Sequence, residues 1–233
     1  SITWRWSFPE AWPTSWSFDY WLQLLTEWPL ALKHSLITAL ISSGLALMLA
    51  VIWLEVQDRF GGHFYRATLW FIYLPLLVPQ IAFLYGLKVS FLRLGLSGGI
   101  GTVIWAHLFF VFPYVMLSLV DSWRALDQRY LSVAKSLGSS SWTCLWRIKL
   151  SLLLRPLLIA WAIGMAVSIS QYLPTLLIGA GRVESLTTEA VSLASGADRR
   201  LVGVYGLLQA LVPLLAYSCA LLLPRWVALK HMK

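Results

Sequence analysis

Apolar positions run along this chain in long blocks separated by short polar stretches. A helix that crosses a bilayer needs about 20 mostly apolar residues. Five blocks reach that length, at about 29–54, 68–91, 101–120, 156–178 and 202–223. The pattern predicts an all-α, polytopic helical membrane protein with five spanning helices. The longest polar stretch, 121–155, separates the third block from the fourth.

Composition supports that reading and removes its competitors. The 233 residues are 59% hydrophobic and only 12% charged, about half the ~25% charge of a soluble domain. Two Cys exclude a disulfide framework, and the apolar content excludes disorder. Fourteen Trp, seven of them between Trp4 and Trp53, fit a chain that meets the headgroup boundary. The net charge of +8 does not argue for nucleic acid, because the bases lie between apolar blocks.

Lys and Arg set the orientation, since positively charged short loops stay in the cytoplasm. With the N-terminus outside, eleven of the 18 cations fall inside, six of them in 121–155. The expectation is N-out and C-in, with 1–28 an extracytoplasmic interfacial segment and 226–233 a cytoplasmic tail. An external N-terminus starting Ser1-Ile2-Thr3, without a signal peptide, suggests a piece of a longer polypeptide with a span upstream. The alternative is a five-span protein that has lost its Met.

Within the polar stretch, Leu126, Tyr130, Val133, Ala134 and Leu137 recur at helical spacing. Gly138 stands where a left-handed residue closes a helix, and Ser139, Ser140 and Ser141 follow as N-cap candidates. A second short helix, about 142–150, then places Trp142, Leu145, Trp146 and Lys149 along one face. Two readings of this basic loop stay open: it rests on anionic lipid, or it docks a partner.

The run Tyr130-Leu-Ser-Val-Ala-Lys-Ser-Leu-Gly138-Ser-Ser-Ser-Trp142, with Ile148-Lys-Leu150 and Pro156, resembles the EAA loop of permease subunits of binding-protein-dependent ABC importers. That family's pattern is Glu-Ala-Ala, three residues, Gly, then about nine residues to an Ile/Val-x-Leu-Pro. The chain keeps Ala134, Leu137, Gly138, Ile148, Leu150 and Pro156, and departs at Ser132, Val133 and Ser151. Lys33-His34-Ser35-Leu36, the run from Ser168 to Gly179, and Leu186 to Ala190 are also similar to permeases of the thiamine, iron and polyamine group. There, two such halves are often fused in one chain, and this sequence looks like the C-terminal half.

The resemblance implies a type I importer fold at 29–225, with Ala134, Leu137, Gly138, Ser139, Ser140, Trp142 and Leu145 coupling the permease to an ATPase. It implies three partners: a cytoplasmic ATP-binding subunit dimer, a second permease half or subunit, and an extracytoplasmic solute-binding protein. It places the chain in the bacterial inner membrane. No cofactor, catalytic residue or metal ligand is expected, and no Gly-Lys-Ser/Thr phosphate loop occurs in the sequence.

The solute path is less visible. Ser168 and Gln171 stand one turn apart in the fourth block, with Tyr172 and Pro174 next; such residues line a path or bond helix to helix. Pro75, Pro79, Pro113 and Pro213 fall within spans and suit kinked, rocking helices. His107 reads as interfacial or bonded to a neighbour rather than metal-ligating. Two other functions compete: an ion-gradient-driven transporter, which commonly needs acids near span centres, and a non-transporting membrane anchor subunit.

Overall fold

Where the apolar blocks end and bend is set by proline, by glycine and by how closely the helices approach. The computed structural model describes residues 4–5, 15–16, 29–60, 65–96, 98–194 and 199–230. Apart from β1 (Trp4–Arg5) paired antiparallel with β2 (Ser15–Trp16), the expected interfacial segment lies outside the described residues.

Helix α1 (Pro29–Phe60) begins on a proline, which suits the first helical position because its missing N–H has no partner there anyway. The next block is not one rod. It is α2 (Tyr65–Leu77) and α3 (Gln80–Arg93), separated at Val78 and Pro79. Ile72 of α2 packs in the same apolar cluster as Leu108 to Trp123, whereas Leu84 of α3 packs against Val103, Ala106 and Phe110. The broken pair therefore runs antiparallel to α4 (Ile100–Arg124).

After α4 come α5 (Gln128–Ser136) and α6 (Ser141–Leu152), the latter bent by 74° from α7 (Leu154–Ser170). Short helices α8 (Leu173–Gly179) and α9 (Leu186–Ala194) precede α10 (Arg199–Lys230). Among the described residues, α1, α4 and α10 are each long and apolar enough to cross a membrane, and the bent α6–α7 pair adds a fourth crossing if it is one span. Helix α10 continues through 226–230, which the hydropathy pattern assigns to a tail.

The bundle is held by close helix approach. Ala39, Ser42, Ser43, Ala46 and Ala50 form one fully shielded face of α1. Against it, α7 presents Ala160, Gly164 and Ser168, each buried and four residues apart. A Cβ built on Gly164 would lie 2.8 Å from Val115 Cγ2 and 3.0 Å from Ser43 Cβ, so three helices meet where only glycine fits. Small residues of this kind are what membrane helices use to pack, since lipid offers no hydrophobic drive between them.

Candidate functional site

Among the described residues, polar side chains gather at a helix break in mid-bundle and at the loop by the Arg124 end of α4.

The break lies between α7 and α8, at Gln171 and Tyr172. Pro174 sits in the first turn of α8, where its missing N–H leaves no bond unmade. Beside the break, a hydrogen-bonded chain crosses four elements. Ser42 Oγ of α1 donates to Ser168 Oγ of α7 at 3.1 Å. Ser168 Oγ lies 2.9 Å from His107 Nδ1, and His107 Nε2 lies 2.9 Å from Thr175 Oγ1 of α8. Thr175 Oγ1 in turn donates to the Gln171 carbonyl at 3.1 Å.

Each hydroxyl has one proton to give. Although Ser42 Oγ also lies 3.5 Å from the Ala39 carbonyl, its shorter contact to Ser168 and that of Thr175 to the Gln171 carbonyl give the chain a direction. Ser42 donates to Ser168, Ser168 to Nδ1, Nε2–H to Thr175, and Thr175 to the carbonyl. A neutral His107 carrying its proton on Nε2 satisfies every link. His107 is thus bonded within the bundle and not interfacial. Gln171 Nε2 reaches the His107 carbonyl at 3.5 Å, while its buried Oε1 has no partner. The residues enclose a cavity of about 10 Å³ that Ser35, Thr38 and Ser185 also line, the room that one water needs.

On the other side of Gln171 lies an open cleft of about 750 Å³. Both helix breaks border it: Val78, Pro79 and Gln80 from one, Ser170, Gln171 and Tyr172 from the other. Phe110 and Tyr114 of α4 complete its aromatic wall, and no charged side chain lines it among the described residues. Ser168 therefore belongs to the inter-helix chain, Tyr172 to the cleft, and Gln171 to both.

The loop is built by local geometry. Asp127 caps α5 by accepting from the Arg129 N–H at 2.9 Å. Gly138, at φ +84°, takes the left-handed conformation that ends a helix. Its N–H bonds the Lys135 carbonyl, and Ser139 N–H bonds the Ala134 carbonyl, both at 3.0 Å. That pair of bonds is a Schellman closure. Ser140 then caps α6, its Oγ accepting from Thr143 N–H at 3.2 Å. Ala134 is buried, whereas Leu137 is 80% exposed.

One expectation fails in α6. Trp142, Leu145, Trp146 and Lys149 do not share a face: Trp142 and Trp146 are exposed and 5.6 Å apart, while Leu145 and Lys149 are buried. The reason is that Cys144–Lys149 is π-helical. Its i→i+5 turns are wider than α-helical ones and separate an outer aromatic face from an inner one.

Lys149 is 2% exposed, and its Nζ bonds Glu55 at 3.0 Å and also Asp58. Both acids lie near the end of α1. Trp123 Nε1 donates to the same Asp58 oxygen at 2.9 Å, and the ammonium stands 4.2 Å from the Trp123 ring centre. Sequence reasoning missed this cluster, whose partners lie 91 and 94 positions from Lys149. Opposite charges at the ends of two blocks were the only signal.

A helical bundle with three membrane-length helices, broken helices around a cleft and a capped helix–turn–helix at one end defines the class: a polytopic helical membrane protein. Comparison with known proteins narrows it. The chain is 39% identical to the inner membrane ABC transporter permease protein YnjC of Escherichia coli K12 over 197 residues, 84% of this chain and 37% of that protein. It is 27% identical to the spermidine/putrescine permease PotC of the same organism, covering 59% of this chain and 52% of PotC. It is 32% identical to the molybdenum permease ModB of Mycobacterium tuberculosis, covering 65% of this chain and 62% of ModB.

Two solved structures share the fold. A chain of the bacterial alginate ABC transporter in complex with its alginate-bound periplasmic protein superposes with a TM-score of 0.67 at 15% identity, over 88% of this chain and 81% of that one. Another, from an alginate-importing ABC transporter, gives 0.64 at 18%, over 94% and 86%. No protein-family model matches. These homologues are ABC transporter permeases, and the chain spans between 37% and 62% of their length.

Proposed function

We propose that this chain is the permease component of an ATP-driven importer in a bacterial inner membrane, oriented N-out and C-in. The observation that carries the proposal is the capped loop. Gly138 closes α5 and re-aims the chain into α6, whose Trp142 and Trp146 stand exposed at the end of the bundle. Aromatic pairs left open beside cations suit a protein groove, here that of a cytoplasmic ATP-binding subunit. In this reading α6 is the coupling helix, the subunit docks as a dimer, and this chain supplies no ATP site.

The cleft between the two helix breaks is the solute path. Irregular backbone at membrane depth is tolerated only where it is buried in protein or lines a cavity. Gln80, Tyr114, Ser170 and Tyr172 offer hydrogen bonds without fixed charge, so solute selection falls to an extracytoplasmic binding protein. Relatives are named for polyamine and molybdenum transport, and a thiamine-like, iron or polyamine solute fits the same group. A second permease half or subunit closes the far wall of the cleft.

Gly138→Val and Gly138→Asp test the docking. Either side chain opposes the left-handed conformation and should turn α6 away. The expected result is loss of co-purification with the ATP-binding subunit, or of solute-stimulated ATP hydrolysis. Unchanged coupling in both variants would sink the proposal.

A further inference from the structure

A lysine is almost never fully buried unless paired, and removing its charge from water costs several kcal/mol before pairing is counted. Lys149 is the buried cation of α6, whereas its neighbour Arg147 is exposed. Two carboxylates one turn apart on α1 hold the ammonium, and Arg59 balances Glu55 at 2.8 Å. The cluster carries two negative and two positive charges. Asp58 is shared with Trp123 at the end of α4.

We propose that Lys149 is a positioning residue, the latch through which force on the coupling helix reaches α1 and α4. This rests on the permease reading above. The apolar packing under α6, by Leu145 and Leu150 against the body, is non-directional and allows sliding. Charge-assisted hydrogen bonds are directional and about twice as strong as neutral ones. With its ammonium gripped by Glu55 and Asp58 and seated over Trp123, α6 has no freedom to slip along α1. The π-helical turn presents Lys149 inward while the tryptophans face out, so one short helix has a docking face and an anchoring face.

The test uses the complete importer in proteoliposomes, measuring solute uptake and ATP hydrolysis in the same preparation. Lys149→Met alone leaves two acids against one arginine and risks misfolding. The informative variant is the triple Glu55→Gln, Asp58→Asn, Lys149→Met, which removes the buried ammonium with both of its acids and leaves only Arg59, whose side chain is 40% exposed and reaches solvent. Replacing a buried ion group together is often close to neutral for stability. The triple variant should assemble and hydrolyse ATP within about twofold of wild type. Its uptake per ATP should fall at least tenfold, while Lys149→Arg retains most of it.

Wild-type uptake per ATP in the triple variant overturns the latch. Should the triple variant fail to assemble, Trp123→Phe keeps an aromatic ring under the ammonium but removes the indole N–H to Asp58 together with part of the buried ring. A two- to fivefold drop in uptake per ATP supports the latch, and no drop overturns it. A wild-type importer that shows no ATP-driven uptake contradicts the permease reading instead, so the two failures are distinguishable.

Discussion

His107 and Ser168 meet at 2.9 Å across the interface of α4 and α7, at the centre of the polar chain that joins α1 to α8. Removing the imidazole leaves Ser168 and Thr175 hydroxyls facing an apolar side chain. Inter-helix hydrogen bonds inside membranes contribute about 0.6 to 2 kcal/mol each, so His107→Leu should destabilise the bundle by about 1–3 kcal/mol. Thr175→Val should cost less, and the two should couple. Thermal unfolding in detergent checks this by a double-mutant cycle; strictly additive effects would contradict the bonded chain.

Gly164 gives a steric test. Even Gly164→Ala puts a Cβ 2.8 Å from Val115 Cγ2, and overpacking of this kind costs about 1–3 kcal/mol. Gly164→Leu should prevent accumulation of folded protein. Gly206, where an added Cβ would meet nothing within 4 Å, should tolerate alanine. Size-exclusion profiles of the three variants decide the point, and equal profiles for Gly164→Leu and Gly206→Ala would refute the three-helix contact.

The cleft predicts a pattern of water access. With Cys144 and Cys219 replaced by Ser, a cysteine at Tyr172 or Ser170 should react with a membrane-impermeant thiol reagent in the assembled importer. A cysteine at Ser168, inside the bonded chain and one helical turn from the cleft, should react at least tenfold more slowly. Equal rates at Ser168 and Ser170 would erase the distinction between path and packing.

Of the five expected spans, those at 29–54, 101–120 and 202–223 were legible as membrane-length helices, because burial in lipid demands length and apolarity, and both are local properties. Gly138 was legible for the same reason: a left-handed closure is written into a few consecutive residues, from Ala134 to Ser140. The breaks were only half visible. Pro79 and Pro174 marked the neighbourhoods, but a proline does not say whether a helix kinks or stops. The face of α6 was misread because α-helical periodicity joins Trp142 to Lys149, and nothing in the sequence announces a π turn. The chain from Ser42 to Thr175 and the latch from Glu55 to Lys149 are long-range pairings. Their members show as polar residues in apolar blocks, yet one sequence does not say who pairs with whom.

The permease reading turns on whether the exposed face of α6 meets an ATP-binding subunit or lipid. A photo-crosslinking side chain placed at Trp142, in the intact importer within native membranes, reads this contact directly. The expected result is a crosslink to the ATP-binding subunit that weakens when Gly138 is replaced by Val. Crosslinks to lipid alone, unchanged by that substitution, would contradict it.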